Sequence, residues 1–63
     1  MFLHIGREKM VRLKGVIAIL DRELHPHIGD PTDSSVVFTD EGVFSSPISV
    51  GTLISRIREK YEE

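Results

Sequence analysis

Val16-Ile17-Ala18-Ile19-Leu20 is an unbroken apolar run with three β-branched members, too short for a helix of ordinary length. It also lacks the alternation of a strand with one wet face, so it predicts a fully buried central strand. In a chain of 63 residues such a strand is hard to cover. A domain of this size buries only about 60% of the surface its unfolded form exposes. Disulfides and thiolate metal sites are excluded because there is no cysteine, which also points to a reducing compartment. Subunit association is the expected extra source of stability.

Upstream, Phe2 to Ile5 is a short apolar stretch stopped by Gly6, and Met10-Val11 restarts it after Arg7-Glu8-Lys9, which reads as strand, turn, strand. Arg12-Leu13-Lys14-Gly15 then predicts a bend or bulge. Downstream, Asp21-Arg22-Glu23-Leu24 either extends the strand or forms one helical turn, and the prolines of His25–Asp33 make that stretch a loop. Ser35 to Thr39 reads as a strand. Asp40-Glu41-Gly42 suits a three-residue hairpin loop with Gly42 left-handed, and Val43 to Ser46 returns until Pro47 ends it. Ser49 is the expected N-cap of a C-terminal helix, with Ile48 and Leu53 spaced as a hydrophobic staple. Val50, Leu53, Ile54, Ile57 and Tyr61 form its apolar stripe, with Arg56, Glu59, Lys60 and Glu63 facing outward. The expectation is a single α+β domain over residues 1–63: a small, mainly antiparallel sheet of about five short strands with one C-terminal amphipathic helix. Val16–Leu20 and the helix stripe would supply its core.

The net charge of −2 hides a gradient. Residues 1–22 carry Arg7, Lys9, Arg12, Lys14 and Arg22 against Glu8 and Asp21, a net of +3. Residues 23–48 carry Glu23, Asp30, Asp33, Asp40 and Glu41 and no Lys or Arg, a net of −5. Such asymmetry marks a basic face for an anionic partner, opposite patches that attract between copies, or an ordinary solvated surface. No apolar run reaches the roughly 18 residues of a membrane span, and no long apolar signal core opens the chain, so a cytoplasmic protein is expected.

Phe2-Leu3-His4-Ile5-Gly6, Met10-Val11 and Val16-Ile17-Ala18-Ile19-Leu20-Asp21 resemble the opening of the bacterial RemA/RemB family of extracellular-matrix (biofilm) regulators. A second block is similar too: Ser35-Val36-Val37-Phe38-Thr39, a turn, then Val43-Phe44-Ser45-Ser46-Pro47-Ile48-Ser49 leading into Thr52-Leu53. The Ser-Pro-Ile-Ser ending looks closer to the RemB branch, and the two blocks cover about two thirds of the chain. The resemblance implies a subunit that assembles into homo-oligomeric rings. For the RemA branch it implies transcription regulation by rings that bind and wrap double-stranded DNA, on a fold resembling a class of β-rich DNA-binding domains. Two departures stand out. The helix usual between the blocks shrinks here to the His25–Asp33 loop, and the tandem arginine of the RemA branch is replaced around Thr32, Asp33 and Ser34.

Without that motif, the candidate nucleic-acid-binding residues are Arg12 and Lys14 in the bend, with Arg7 and Lys9 in the preceding turn. Few per subunit, they would act by repetition around a ring, because phosphate binding scales with the number of charges neutralised. Specificity would then come from DNA shape and bending. The competing expectation is a ring-forming structural or regulatory subunit that does not itself bind DNA. No aromatic residues interleave the cations to stack bases, and Arg56, Arg58 and Lys60 on the helix are offset by Glu59, Glu62 and Glu63. His25, His27, Asp30 and Asp33 have metal-ligand types but no established spacing, so a solvent-facing loop is expected there. His4 is expected half-buried in the sheet or at a subunit contact, where its titration would make assembly pH-sensitive. The serines lack a nucleophile-elbow context and Gly6, Gly15 and Gly29 are too dispersed for a phosphate loop. No enzyme activity, cofactor, metal, small-molecule substrate or membrane partner is therefore expected.

Overall fold

The structure, a computed structural model, describes residues 1–61. Its elements run β1 (Phe2–His4), β2 (Met10–Arg12), a 3-10 turn (Leu13–Gly15), β3 (Val16–Asp21), a second 3-10 turn (Arg22–Leu24), β4 (Ser35–Thr39), β5 (Gly42–Ser46) and α1 (Val50–Tyr61). The fold is α+β as expected. Its five antiparallel strands divide into a hairpin, β1–β2, and a three-stranded sheet ordered β3–β4–β5. Glu63, assigned above to the outer helix face, lies outside the described residues, as does Glu62.

The central strand is β4, not the apolar run in β3. Val16–Asp21 is an edge strand whose Ile17 is 72% exposed, with the other apolar members half-buried. A register shift between Val16↔Thr39 and Ala18↔Phe38 leaves Ile17 as an unpaired bulge, a device that twists an edge away from further strand pairing. Burial on both sides falls instead to Val36 and Val37, adjacent in β4 and so pointing to opposite faces, both with no exposed surface. Val37 joins Leu3, Ile5, Val11, Leu13 and Leu53 in the core, with Val16, Ile19, Phe44, Ile48 and Ile57 packed around them. This inner layer is closed by the β1–β2 hairpin and α1.

Val36 lies on the other face, beneath the 25–33 loop. Gly29 has φ of +80°, and a Cβ there would come within 2.6 Å of Val36 Cγ2 and 2.8 Å of Ser45 Oγ. The Asp30 amide donates to Ser45 Oγ at 2.7 Å, fixing the loop to β5. The 25–33 loop thus covers one residue of the sheet's second face.

Local signals fare well at the C-terminal end. Ser49 caps α1: its Oγ accepts from the Thr52 amide at 3.3 Å and donates to Thr52 Oγ1 at 3.0 Å. The apolar stripe is narrower than expected, however. Leu53 is fully buried and Ile57 partly so, whereas Ile54 and Tyr61 are 43% and 66% exposed and Arg56 and Lys60 are half-covered. The hairpin also differs by one residue. Only Asp40 and Glu41 connect the strands, because Gly42 already pairs with Thr39, and its φ of +149° is outside the compact left-handed well while still favouring glycine.

Two buried serines knit the layers together. Ser46 Oγ donates to the Ile5 carbonyl at 2.7 Å and accepts from the Ile48 amide at 3.0 Å, and Ser35 Oγ donates to the Ile48 carbonyl at 2.8 Å. Both have no exposed surface. The hydroxyls of the Ser-Pro-Ile-Ser segment and of β4 therefore satisfy backbone groups at the junction of β1, β5 and α1.

Candidate nucleic-acid interface

Arg7 and Lys9 lie in the turn and Lys14 in the bend, as the sequence predicts, whereas Arg12 is the last residue of β2 and not part of the bend. Three of the four are engaged within the chain. Arg7 lies in the turn joining β1 to β2, where Gly6, Arg7 and Glu8 all have positive φ, at +91°, +51° and +60°. The turn closes through the Lys9 amide donating to the Gly6 carbonyl and the Ile5 amide donating to the Lys9 carbonyl, both at 2.9 Å. It aims the Arg7 guanidinium at Asp33, to which Nη1 and Nη2 donate at 2.7 and 2.5 Å. These bonds, and then the carboxylate charge, hold the Arg7 pKa above its ordinary value. The Asp33 side chain is 1% exposed, so this carboxylate is enclosed and paired, not presented to solvent.

Lys9, from the same turn, sets its Nζ 4.1 Å from the centroid of the Phe44 ring, a cation–π contact. Arg12, at the far end of the hairpin, is shared between Asp40 at 3.1 Å and Glu41 at 3.5 Å on the β4–β5 turn. All three side chains there are more than half exposed, so these pairs are weak and exchangeable. The same turn docks on the bend through the Asp40 amide, which donates to the Gly15 carbonyl at 2.9 Å. Lys14 is exposed and makes no ion pair with the described residues. The cations form no single patch: Arg7 and Lys9 occupy one end of the β1–β2 hairpin, Arg12 and Lys14 the other.

The 25–33 loop gathers no metal site, since no group of three or more potential ligands converges among the described residues. Asp30 instead closes a local turn, with the Thr32 amide and hydroxyl donating to its Oδ1 at 2.9 and 2.7 Å. Those two bonds hold the Asp30 carboxyl below the usual carboxylate range, assisted by the charges of Arg7 and Arg22. His4 is exposed, in contrast to the half-buried place expected within one subunit, because β1 alternates and its inward position is Leu3. No helix among the described residues is long and apolar enough to cross a membrane.

One feature escaped the sequence reading. Residues of β1, β2 and the second half of α1 line an open cleft of about 450 Å³, with Phe2, His4 and Met10 on the hairpin side and Arg56, Glu59 and Lys60 on the helix side. Arg56 Nη1 donates to the His4 carbonyl at 3.2 Å, tying helix to hairpin. The only sequence signal was the alternation of Phe2, His4 and Met10 onto the outer face, which needs the pairing of Phe2 with Arg12 and His4 with Met10 to be seen.

Compared with known proteins, the chain matches no family model, no curated protein and no solved structure.

Proposed function

We propose that this chain is a self-assembling, non-enzymatic subunit of the RemA/RemB type, acting in the cytoplasm as a regulatory or structural interaction module. In this reading its charges serve folding and subunit contact ahead of DNA contact. The observation that carries it is the engagement of Arg7 by Asp33, Lys9 by Phe44 and Arg12 by Asp40 and Glu41. A guanidinium locked on an enclosed carboxylate gains little by neutralising a phosphate, and the two acids beside Arg12 repel one. Few charges per subunit therefore remain for duplex backbone, whose binding depends on the number neutralised. Apolar surface left open at Phe2, Met10, Ile17, Leu24 and Val43 supports assembly.

A second reading, regulation of transcription by a ring that binds duplex DNA, is favoured by one observation. Lys14 is unpaired among the described residues and stands beside the exchangeable Arg12 pairs. Repeated around a ring, these two would form a basic rim.

Sedimentation equilibrium paired with fluorescence anisotropy of a labelled duplex over a salt series separates the readings. The subunit reading expects an oligomer with duplex affinity that is weak even at low salt. Tight binding by the oligomer, with a log–log salt slope of many phosphates at about 0.9 each, establishes the second reading instead. A monomer that binds no duplex overturns both.

A further inference from the structure

Two exposed features near opposite ends of α1 complement each other in shape class and charge. The first is the cleft of about 450 Å³ beside the second half of the helix. Its hairpin side presents Phe2 and Met10, 52% and 57% exposed, and its helix side brings Arg56 and Lys60, with Glu59 as the one opposing charge. The second feature is the 3-10 turn Arg22–Leu24. There Leu24 is 75% exposed, the highest value among the large apolar side chains, and the exposed carboxylates of Asp21 and Glu23 precede it.

The turn is built to present these groups. Asp21 Oδ1 accepts from the Glu23 amide at 2.9 Å, capping the turn, and Arg22 is drawn away to the Pro26 carbonyl at 3.1 Å. Arg22 is also half-buried, so the two acids are the more exposed charges of the turn, which with the Arg22 guanidinium carries a net of −1. Asp21, Arg22 and Glu23 line a second hollow together with Ser49 and Val50, which places the turn at the start of α1. Val50 and Lys60 are ten residues apart in the helix, about 15 Å along its axis at 1.5 Å per residue. The Leu24 turn therefore lies too far along the helix to fill its own cleft, and a second copy is the nearest source of an apolar, acidic occupant.

We propose that the Leu24 turn of one copy seats in the cleft of the next, with Leu24 against Phe2 and Met10, and Asp21 and Glu23 facing Arg56 and Lys60. The contact rests on the assembling-subunit reading and gives it a mode. It is heterologous, joining unlike surfaces head to tail, so each subunit offers one knob and one cleft and the chain of contacts closes into a ring or runs on as a filament. One leucine and two charges make a small interface, so a single contact is weak but is populated at the millimolar protein concentrations used for NMR, and closure of the ring tightens it further through effective concentration.

The test uses two surface variants, Leu24→Asp, which loses the knob, and Met10→Asp, which loses the cleft. Both sites are exposed, and circular dichroism confirms folding before use. Each variant is expected to be monomeric by sedimentation equilibrium where the wild type is oligomeric. Mixed, they are expected to pair, because Leu24→Asp keeps a cleft and Met10→Asp keeps a knob. Adding unlabelled Met10→Asp to ¹⁵N-labelled Leu24→Asp then shifts the amides of Phe2, Met10, Arg56 and Lys60, while adding unlabelled Leu24→Asp to itself does not. A charge swap adds a check: Glu23→Lys weakens the oligomer and Lys60→Glu in the same chain restores part of it. An oligomer that persists in folded Leu24→Asp overturns the contact while leaving assembly intact, as does a pair of folded monomeric variants that produce no shifts on mixing. A monomeric wild type overturns the contact and the assembling-subunit reading together.

Discussion

The Arg7 guanidinium holds the Asp33 carboxylate with both terminal nitrogens, at 2.7 and 2.5 Å, across 26 positions of sequence. One end of this pair is half in water and the other is sealed, with side-chain exposures of 56% and 1%. The asymmetry decides what each truncation does. Arg7→Ala strands a carboxylate away from water, whereas Arg12→Ala leaves Asp40 and Glu41 in solvent. Chemical denaturation is expected to show a clearly lower midpoint for Arg7→Ala than for Arg12→Ala. Equal midpoints would mean that the Asp33 carboxylate finds another partner when Arg7 is gone.

The turn that carries Arg7 stores strain. Glu8 has φ of +60°, a conformation that costs an L-residue with a Cβ roughly 1–2 kcal/mol. Glycine adopts it freely and loses part of that gain through a more flexible unfolded chain. Glu8→Gly is expected to raise stability by about 0.5–1 kcal/mol in urea titration. Glu8→Val should lower it, since a β-branched side chain at positive φ is worse placed than glutamate.

Ser46→Ala removes a hydroxyl that serves two buried backbone groups, the Ile5 carbonyl and the Ile48 amide. An unpaired buried polar group costs about 1–3 kcal/mol, so the loss is expected toward the upper part of that range. Hydrogen exchange is the better reading of it than a global midpoint. Faster exchange at Ile48 and across the β1–β5 junction locates the damage, and uniform acceleration would refute the local role.

These relationships bear on what could be read from sequence. Ser49 as a cap, a hairpin turn at Asp40-Glu41 and the prolines as loop markers are local signals, each deciding a conformation within a few residues, and all were legible, although Gly42 belongs to the strand and not to the loop. The position of Val16–Leu20 was not. An apolar run records that side chains avoid water, but not whether a strand has one neighbour or two. The central place went to β4, whose Val36 is covered by a loop through Gly29 and not by a helix or a second subunit. Charges were legible as a gradient and illegible as contacts. Arg7 with Asp33 and Arg12 with Asp40 join the basic and acidic segments across 26 and 28 positions, distances that only the folded sheet closes.

Asp30 gives the chain an acid-sensitive loop. Thr32 donates two hydrogen bonds to its carboxylate, so the folded state favours the charged form and lowers the pKa from 3.8. A carboxyl lowered by folding contributes stability that is present above its ordinary pKa and is lost as pH falls through the lowered value. The gap in urea midpoint between wild type and Asp30→Ala is expected to be constant above about pH 5 and to shrink below pH 3.8. Asp30→Asn keeps an acceptor for Thr32 without a titrating group, so its midpoint should fall less steeply in that window. A wild-type gap unchanged into strong acid would show that the loop is held by the Asp30 amide on Ser45 alone.

Arg12 stands near Lys14, but two carboxylates on the β4–β5 turn neutralise it, both exposed and neither part of the core. Asp40→Asn with Glu41→Gln releases the guanidinium while leaving Asn and Gln to keep the polar turn. Each subunit then offers two adjacent cations at the same end of the hairpin. If the rim of the assembly faces duplex DNA, affinity rises and the salt slope steepens by about 0.9 for every phosphate newly neutralised, so the increment counts the subunits in contact. If the rim does not face DNA, the variant binds as weakly as wild type at every salt concentration. That outcome would assign Arg12 to the folding of the turn and leave the chain as an interaction module.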